Sequence, residues 1–271
     1  MGLKKIYATI KEQMSANKGT WALYVVLRAL VIVVAVRCAW VQRWEQLFLC
    51  IVVLFLLVMP SLLARRLKIE LPSTLEKIIL LFVFAAEILG EIGGYYQVFP
   101  WWDTMLHTLW GFLAAAIGFA MVDLLNRDPN IKFNLSPVFC AVVAVCFSMT
   151  VGVIWEFFEF SMDRFFNFDM QKDTVVNSFA SVMLGGDGTR PLVVSGISSS
   201  TINGVDYGLG GYLDIGLYDT MGDLLVNFIG AVVFSIFGYQ YLKHEGKQSL
   251  AARLIPRLRN RGKEKHTASN S

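Results

Sequence analysis

The run QLFLCIVVLFLLVMPSLLA, residues 46–64, carries no charged side chain over nineteen positions. A helix rises about 1.5 Å per residue and bilayer hydrocarbon is about 30 Å thick, so roughly 20 such residues cross it. Five more segments meet the same test: 21–41, 74–93, 103–125, 135–160 and 220–242. The composition agrees, with 55% hydrophobic and 17% charged residues and a mean hydropathy of +0.54. A soluble domain carries about 25% charged residues because its surface faces water. This chain has too little polar surface for that, so a soluble enzyme domain is excluded. The expected fold is an all-α integral membrane protein, a bundle of six transmembrane helices over 21–242.

The ends of the spans carry matching signals. Trp21, Trp40, Trp101, Trp102, Tyr239 and Tyr241 stand near helix ends, where amphipathic rings favour the interface. Ser73 with Glu76 has the spacing of a capping box opening the third span. Residues 1–20 place Leu3, Ile6, Ile10 and Met14 on one helical face with lysines at the flanks, the pattern of a helix lying on an anionic surface. The connections 1–20, 65–73, 126–134 and 243–271 together hold seventeen Lys and Arg, against four on the alternate side. That asymmetry predicts both termini in the cytoplasm and a disordered basic tail over 243–271.

The connection 161–217 is long, polar and expected outside. Within it Thr201-Ile202, Asn203-Gly204 and Val205-Asp206 read as a small hairpin. Cys38, Cys50, Cys140 and Cys146 all lie in apolar runs, form no C-x-x-C pair, and read as packing residues. Gly185-Gly186-Asp187-Gly188 lacks the lysine and flanking elements of a phosphate loop, and nothing points to a nucleic-acid partner.

The ionisable residues inside the spans are not scattered. Glu87 and Glu91 end the third span; Asp103 and His107 open the fourth. Glu156 and Glu159 end the fifth, with Asp163 a turn beyond, and Asp219, Asp223 and Asn227 open the sixth. Helix alternation brings all four groups to one side, and their i, i+3 or i, i+4 spacing puts each pair on one face. Such residues usually mark function, because placing them in hydrocarbon is costly. Carboxylates crowded in low dielectric need protons or a cation between them. Oxygen donors with one imidazole suit Mg²⁺, Mn²⁺, Fe²⁺ or Zn²⁺, and a bound metal can turn water into a nucleophile near neutral pH. The expected metal ligands are His107, Asp103, Glu156, Glu159 and Asp223. Asp219 and Asn227 join them as catalytic candidates, Asn227 as an orienting group. Two plainer readings stand beside this one. Asp103 and Asp219 suit helix caps, and Glu87 and Glu91 suit interfacial snorkelling or inter-helix bonds.

Trp102-Asp103-Thr104-Met105-Leu106-His107, Trp155-Glu156-Phe157-Phe158-Glu159 and Tyr218-Asp219-Thr220-Met221-Gly222-Asp223, on to Asn227 and Gly230, resemble the YjdF-type family of bacterial inner-membrane proteins. They are more distantly similar to the VanZ-like family, with Thr104 in place of its lysine and Glu159 in place of its glutamine. The resemblance implies a multi-pass protein of the bacterial plasma membrane in a cell-envelope setting, and it supplies no reaction. With the acidic cluster, the expected activity is metal-dependent chemistry at the outer leaflet on a lipid-linked or envelope substrate. A proton- or cation-coupled transporter and a non-catalytic accessory protein are the alternatives. The inner half offers few acids beyond Asp123, which favours a one-sided site.

Overall fold

The computed structural model describes residues 18–66, 69–126, 135–186, 188–244 and 253–258. The amphipathic face expected at 1–17, the connection at 127–134 and most of the basic tail lie outside them. Among the described residues five helices are long and apolar enough to cross a membrane: Lys18–Trp40, Trp44–Ala64, Trp102–Asn126, Pro137–Phe166 and Leu217–Lys243. Their outward side chains are those of a lipid-facing surface, with Val33 66% and Phe48 67% exposed. In water such exposure would forfeit most of the free energy of burial; in hydrocarbon it costs nothing.

In chain order the elements of the first half are α1 (Lys18–Trp40), α2 (Trp44–Leu56), α3 (Met59–Arg66), β1 (Ile69–Glu70) and α4 (Ser73–Val83). A π-helix, Phe84–Ile92, continues α4, and α5 (Tyr95–Val98) and α6 (Trp102–Asn126) follow. The single α-helix expected over 74–93 is therefore α-helical only to Val83. Beyond it the backbone takes the wider i→i+5 register, rare in proteins and frequent at functional sites. Gly90 lies inside this π-helix against the Tyr96 ring, where a Cβ would come within 2.4 Å of a ring carbon. The second half holds α7 (Pro137–Phe166), β2 (Thr174–Val176), β3 (Ser178–Ser181), β4 (Leu192–Ser195), β5 (Thr201–Ile202), β6 (Val205–Asp206), β7 (Tyr212–Asp214), α8 (Leu217–Lys243) and β8 (Arg257–Leu258).

The chain forms two compact units, one of residues 1–149 with 227–271 and one of residues 150–226. The first unit has two apolar clusters. One joins Leu27 and Val31 of α1, Cys50 and Val53 of α2, Leu80 of α4 and Ile88 of the π-helix. The other gathers Ala115, Ala116 and Phe119 of α6 with Ala144 of α7 and with Ala231 and Phe234 of α8. Small residues matter here because the backbones nearly touch. A Cβ on Gly111 would stand 2.1 Å from the Asn227 carbonyl oxygen, and one on Gly230 would stand 2.0 Å from the Thr108 carbonyl oxygen. Close approach raises dispersion contact between helices that gain no hydrophobic force in lipid. Ser148 adds a buried bond, its hydroxyl donating to the Gly111 carbonyl at 2.8 Å.

Two local expectations change. Pro72 is the N-cap of α4, and the Glu76 amide donates to its carbonyl, so the Ser73–Glu76 capping box does not form. The Glu76 carboxylate instead accepts a hydrogen bond from Ser61. In the basic tail, Arg253–Leu258 is held. Ile255 is fully buried and Leu254 is 8% exposed, both in the α6–α8 cluster. Arg257–Leu258 pairs antiparallel with Ile69–Glu70, Ile69 facing Leu258 and Glu70 facing Arg257. Buried aliphatic side chains and a β-ladder outweigh the charge that suggested a solvated tail.

The second unit contains the end of α7, the start of α8 and three two-stranded antiparallel ladders between them. Strand β2 pairs with β7, β3 with β4 and β5 with β6. The expected hairpin is present: Ile202 faces Val205 across Asn203 and Gly204, whose φ angles of 53° and 79° suit a type I′ turn.

Candidate functional site

Glu156 and Glu159 are one turn apart on α7, and Asp223 lies one turn into α8 from Asp219. All three are buried, at 5, 7 and 6% exposure. One carboxylate oxygen from each lies within 4.8 Å of the others. The Trp155 indole donates to Glu159 Oε1 at 2.9 Å and fixes that carboxylate. If all three were ionised, each pair would repel by about 3–4 kcal/mol at an effective dielectric near 20. The arrangement persists when protons or a cation share the charge, and three anionic oxygens suit a hard divalent ion.

The first unit holds another ionisable pair. His107 Nε2 stands 3.6 Å from Asp103 Oδ1 on successive turns of α6. Asp103 sits inside the first turn of the helix rather than ahead of it. Glu87 and Glu91 fall in the π-helix, the first half-buried and the second exposed.

Two of the expected site residues have structural partners. Asp219 accepts the Lys172 amide at 2.8 Å and so ties the chain after α7 to the start of α8. The Gln171 side chain makes a parallel tie to Thr220. The amide bond that closes the start of α8 goes to Asp214, which accepts from the Tyr218 amide, so Asp219 is not the cap. Asn227 is 1% exposed, and its amide donates to Met149 Sδ at 3.4 Å and, at the limit of hydrogen bonding, to the Ser148 carbonyl. Both of these bonds reach α7. Asp163 accepts the amides of Met170 and Gln171 at 2.6 and 2.8 Å, which fixes the turn leaving α7.

A family model described as "Predicted membrane protein (DUF2238)" matches residues 20–244. The chain belongs to this family. The match runs from the third residue of α1 to just beyond α8, so the three buried carboxylates and the His107–Asp103 pair all lie within the family region. No curated protein and no solved structure matches the chain.

Within the family region the structure also assembles a polar contact that the sequence reading did not find. The Tyr24 hydroxyl meets Ser61 Oγ at 2.8 Å, and Ser61 donates to Glu76 at 3.4 Å, so α1, α3 and α4 are joined by one chain of bonds. The Arg28 guanidinium lies 4.9 Å from the centre of the Tyr24 ring. Tyr24 and Arg28 have i, i+4 spacing, the one signal that marked this face; Glu76 was absorbed into the capping pattern.

Outside the helices, Asp173 has a titration shifted by its surroundings. Partial burial raises its carboxyl above the usual range, the charges of Asp169, Asp163 and Asp214 raise it further, and Lys172 opposes them. Because its pKa is raised in the folded state, its contribution is present below about pH 4, the unfolded value, and is lost as pH rises through the folded value. Amide exchange over residues 167–176 is therefore expected to slow as pH falls, after correction for intrinsic rates. Asp173→Asn should remove that dependence. An unchanged dependence in the variant would reassign it to another group.

Proposed function

We propose that the chain is a membrane-embedded, metal-dependent enzyme acting at the outer leaflet on a lipid-linked or envelope substrate. The observation that carries this is the convergence of Glu156, Glu159 and Asp223 within 4.8 Å in a buried setting. These three hold the divalent ion. Asp103 and His107 are further ligands proposed on the sequence spacing alone. A metal held by oxygen donors lowers the pKa of bound water and polarises a phosphoryl or carbonyl oxygen, which is the chemistry an envelope substrate offers. The resemblance to YjdF-type and VanZ-like proteins supports the envelope setting. The test is Mn²⁺ titration of the detergent-purified protein followed by electron paramagnetic resonance. One bound Mn²⁺ per chain is expected, and at least about tenfold weaker binding in Glu156→Gln, the effect of one lost charged ligand. Binding that survives in Glu156→Gln and Asp223→Asn alike overturns the site.

A cation-coupled transporter is the second reading, and one observation favours it. The Tyr24–Ser61–Glu76 contact gives the other half of the helices a polar cluster that a one-sided site does not need. Uptake of a labelled ion into proteoliposomes, lost in Glu76→Gln, would replace the enzyme reading.

The proposed topology has six spans, with α4 and its π-helix as the third, both termini in the cytoplasm and residues 161–217 outside. Its basis is the seventeen-to-four distribution of Lys and Arg. In a cysteine-free background, Met183→Cys, at a position 95% exposed, should react with an impermeant maleimide in intact cells. Ser269→Cys should react only after lysis. The reverse pattern inverts the orientation.

A further inference from the structure

The crossing of α6 and α8 leaves an apolar groove of about 510 Å³ in the first unit. Gly230 forms its floor. Trp101, Met105, Leu109, Phe112 and Val233 form its walls. Gly230 lets the two backbones meet at Thr108, beside the groove. Phe112 is braced edge-on against Phe234 at 5.1 Å, so that wall is fixed.

We propose that this groove holds one acyl chain of a membrane glycerophospholipid, with the headgroup at the Trp101 end. Four observations lead to that occupant. The surface beside the groove is bilayer-facing, since Ile229 and Ile236, one turn either side of Val233 on α8, are exposed apolar residues. A trough in such a surface is filled by what surrounds it, because an empty one forfeits dispersion contacts. The lining offers almost nothing to a polar ligand: its polar side chains are Thr104 and Thr108, and the Thr108 hydroxyl is turned back onto the Thr104 carbonyl at 2.7 Å. Finally, Trp101 is 55% exposed beside Trp102, Phe99 and Tyr95, an aromatic group of the kind that sits at headgroup level. Asp103 and His107 stand on the opposite side of α6 from the groove by helical spacing, so this lipid is not presented to them. The assignment is independent of the ion site.

The test is native mass spectrometry of the full chain after prolonged detergent washing, with a phosphatidylcholine of defined acyl chains added back. The wild type should retain one phospholipid per chain and take up one equivalent of the added lipid. Val233→Phe, which fills the groove, should bind at least about tenfold more weakly, the factor for losing two or three buried methylene contacts. Ile229→Phe, which adds the same ring to α8 outside the groove lining, should bind as the wild type does. Met105→Trp provides a second filling variant if Val233→Phe does not fold, and Mn²⁺ binding should be unchanged in both filling variants. Lipid retention that is absent, or equal in wild type and filling variants, overturns the proposal. A wild-type dimer that Val233→Phe splits into monomers also overturns it, by assigning the groove to a second copy.

Discussion

Gly230→Leu is expected to abolish assembly of the helices rather than to weaken it. The first atom of any side chain at this position would stand 2.0 Å from the Thr108 carbonyl oxygen, less than two-thirds of a normal contact, and 3.0 Å from the Phe112 amide nitrogen. Those neighbours are backbone atoms of α6 and cannot rotate aside, so the helices must part. Parting them breaks the contacts of Phe234 and Ala231 with α6, and overpacking of this kind costs about 3 kcal/mol or more. A total stability of roughly 5–15 kcal/mol leaves little after such a loss. Gly111→Leu should behave likewise, because its Cβ would meet the Asn227 carbonyl at 2.1 Å. Gly222→Ala is the control with the opposite sign. No atom lies within 4 Å of its Cβ position, and alanine in a helix interior is favoured over glycine by about 0.5–1 kcal/mol. Thermal melts in detergent, read by size-exclusion fluorescence, measure all three. A Gly230→Leu protein that melts with the wild type would mean that the α6–α8 crossing is not as close as described.

Divalent cation is expected to raise the melting temperature of chelator-treated protein, and Asp223→Asn should reverse the order of stabilities. A ligand present at a hundred times its dissociation constant stabilises the native state by about 2.7 kcal/mol. Without metal the wild type carries three like charges within 4.8 Å or must take up protons. Asp223→Asn relieves that repulsion, so in chelator the variant should melt at or above the wild type. With saturating Mn²⁺ the wild type should melt higher, because the variant has lost a charged ligand. His107→Ala asks separately whether the imidazole belongs to the ligand set: a full response in that variant removes it. If chelation changes nothing while acid stabilises the wild type, protons neutralise the carboxylates and the metal reading fails.

The membrane-spanning character was legible because its signal is composition over about 20 residues, and five of the six expected segments hold helices long and apolar enough to cross. The third expected segment, 74–93, was legible as apolar and not as α plus π. The π-helix packs Gly90 against the Tyr96 ring, a contact that hydropathy does not record. The 203–204 turn was legible because Asn-Gly is a backbone instruction that needs no tertiary context. At the site, helical spacing identified Glu156, Glu159 and Asp223 as residues on inward faces, and they do come together. Spacing could not separate Asp223 from Asp219, one turn away. Their difference arises because the Lys172 amide reaches Asp219, and that bond joins segments far apart in sequence. Glu76 was misread for the same reason. Its local pattern fits a cap, and its actual partner, Ser61, lies on another helix.

The ladder between Ile69–Glu70 and Arg257–Leu258 bears on how the protein is made. The strand at 69–70 follows α3 in the chain, yet its partner at 257–258 follows α8. Among the described residues every other strand pair lies between α7 and α8, but this one must wait until α8 has been made. The segment after α3 therefore stays without its ladder while all the later described helices are synthesised. A chain stopped after Lys243 would have every helix described above and still lack the strand that pairs with Ile69–Glu70.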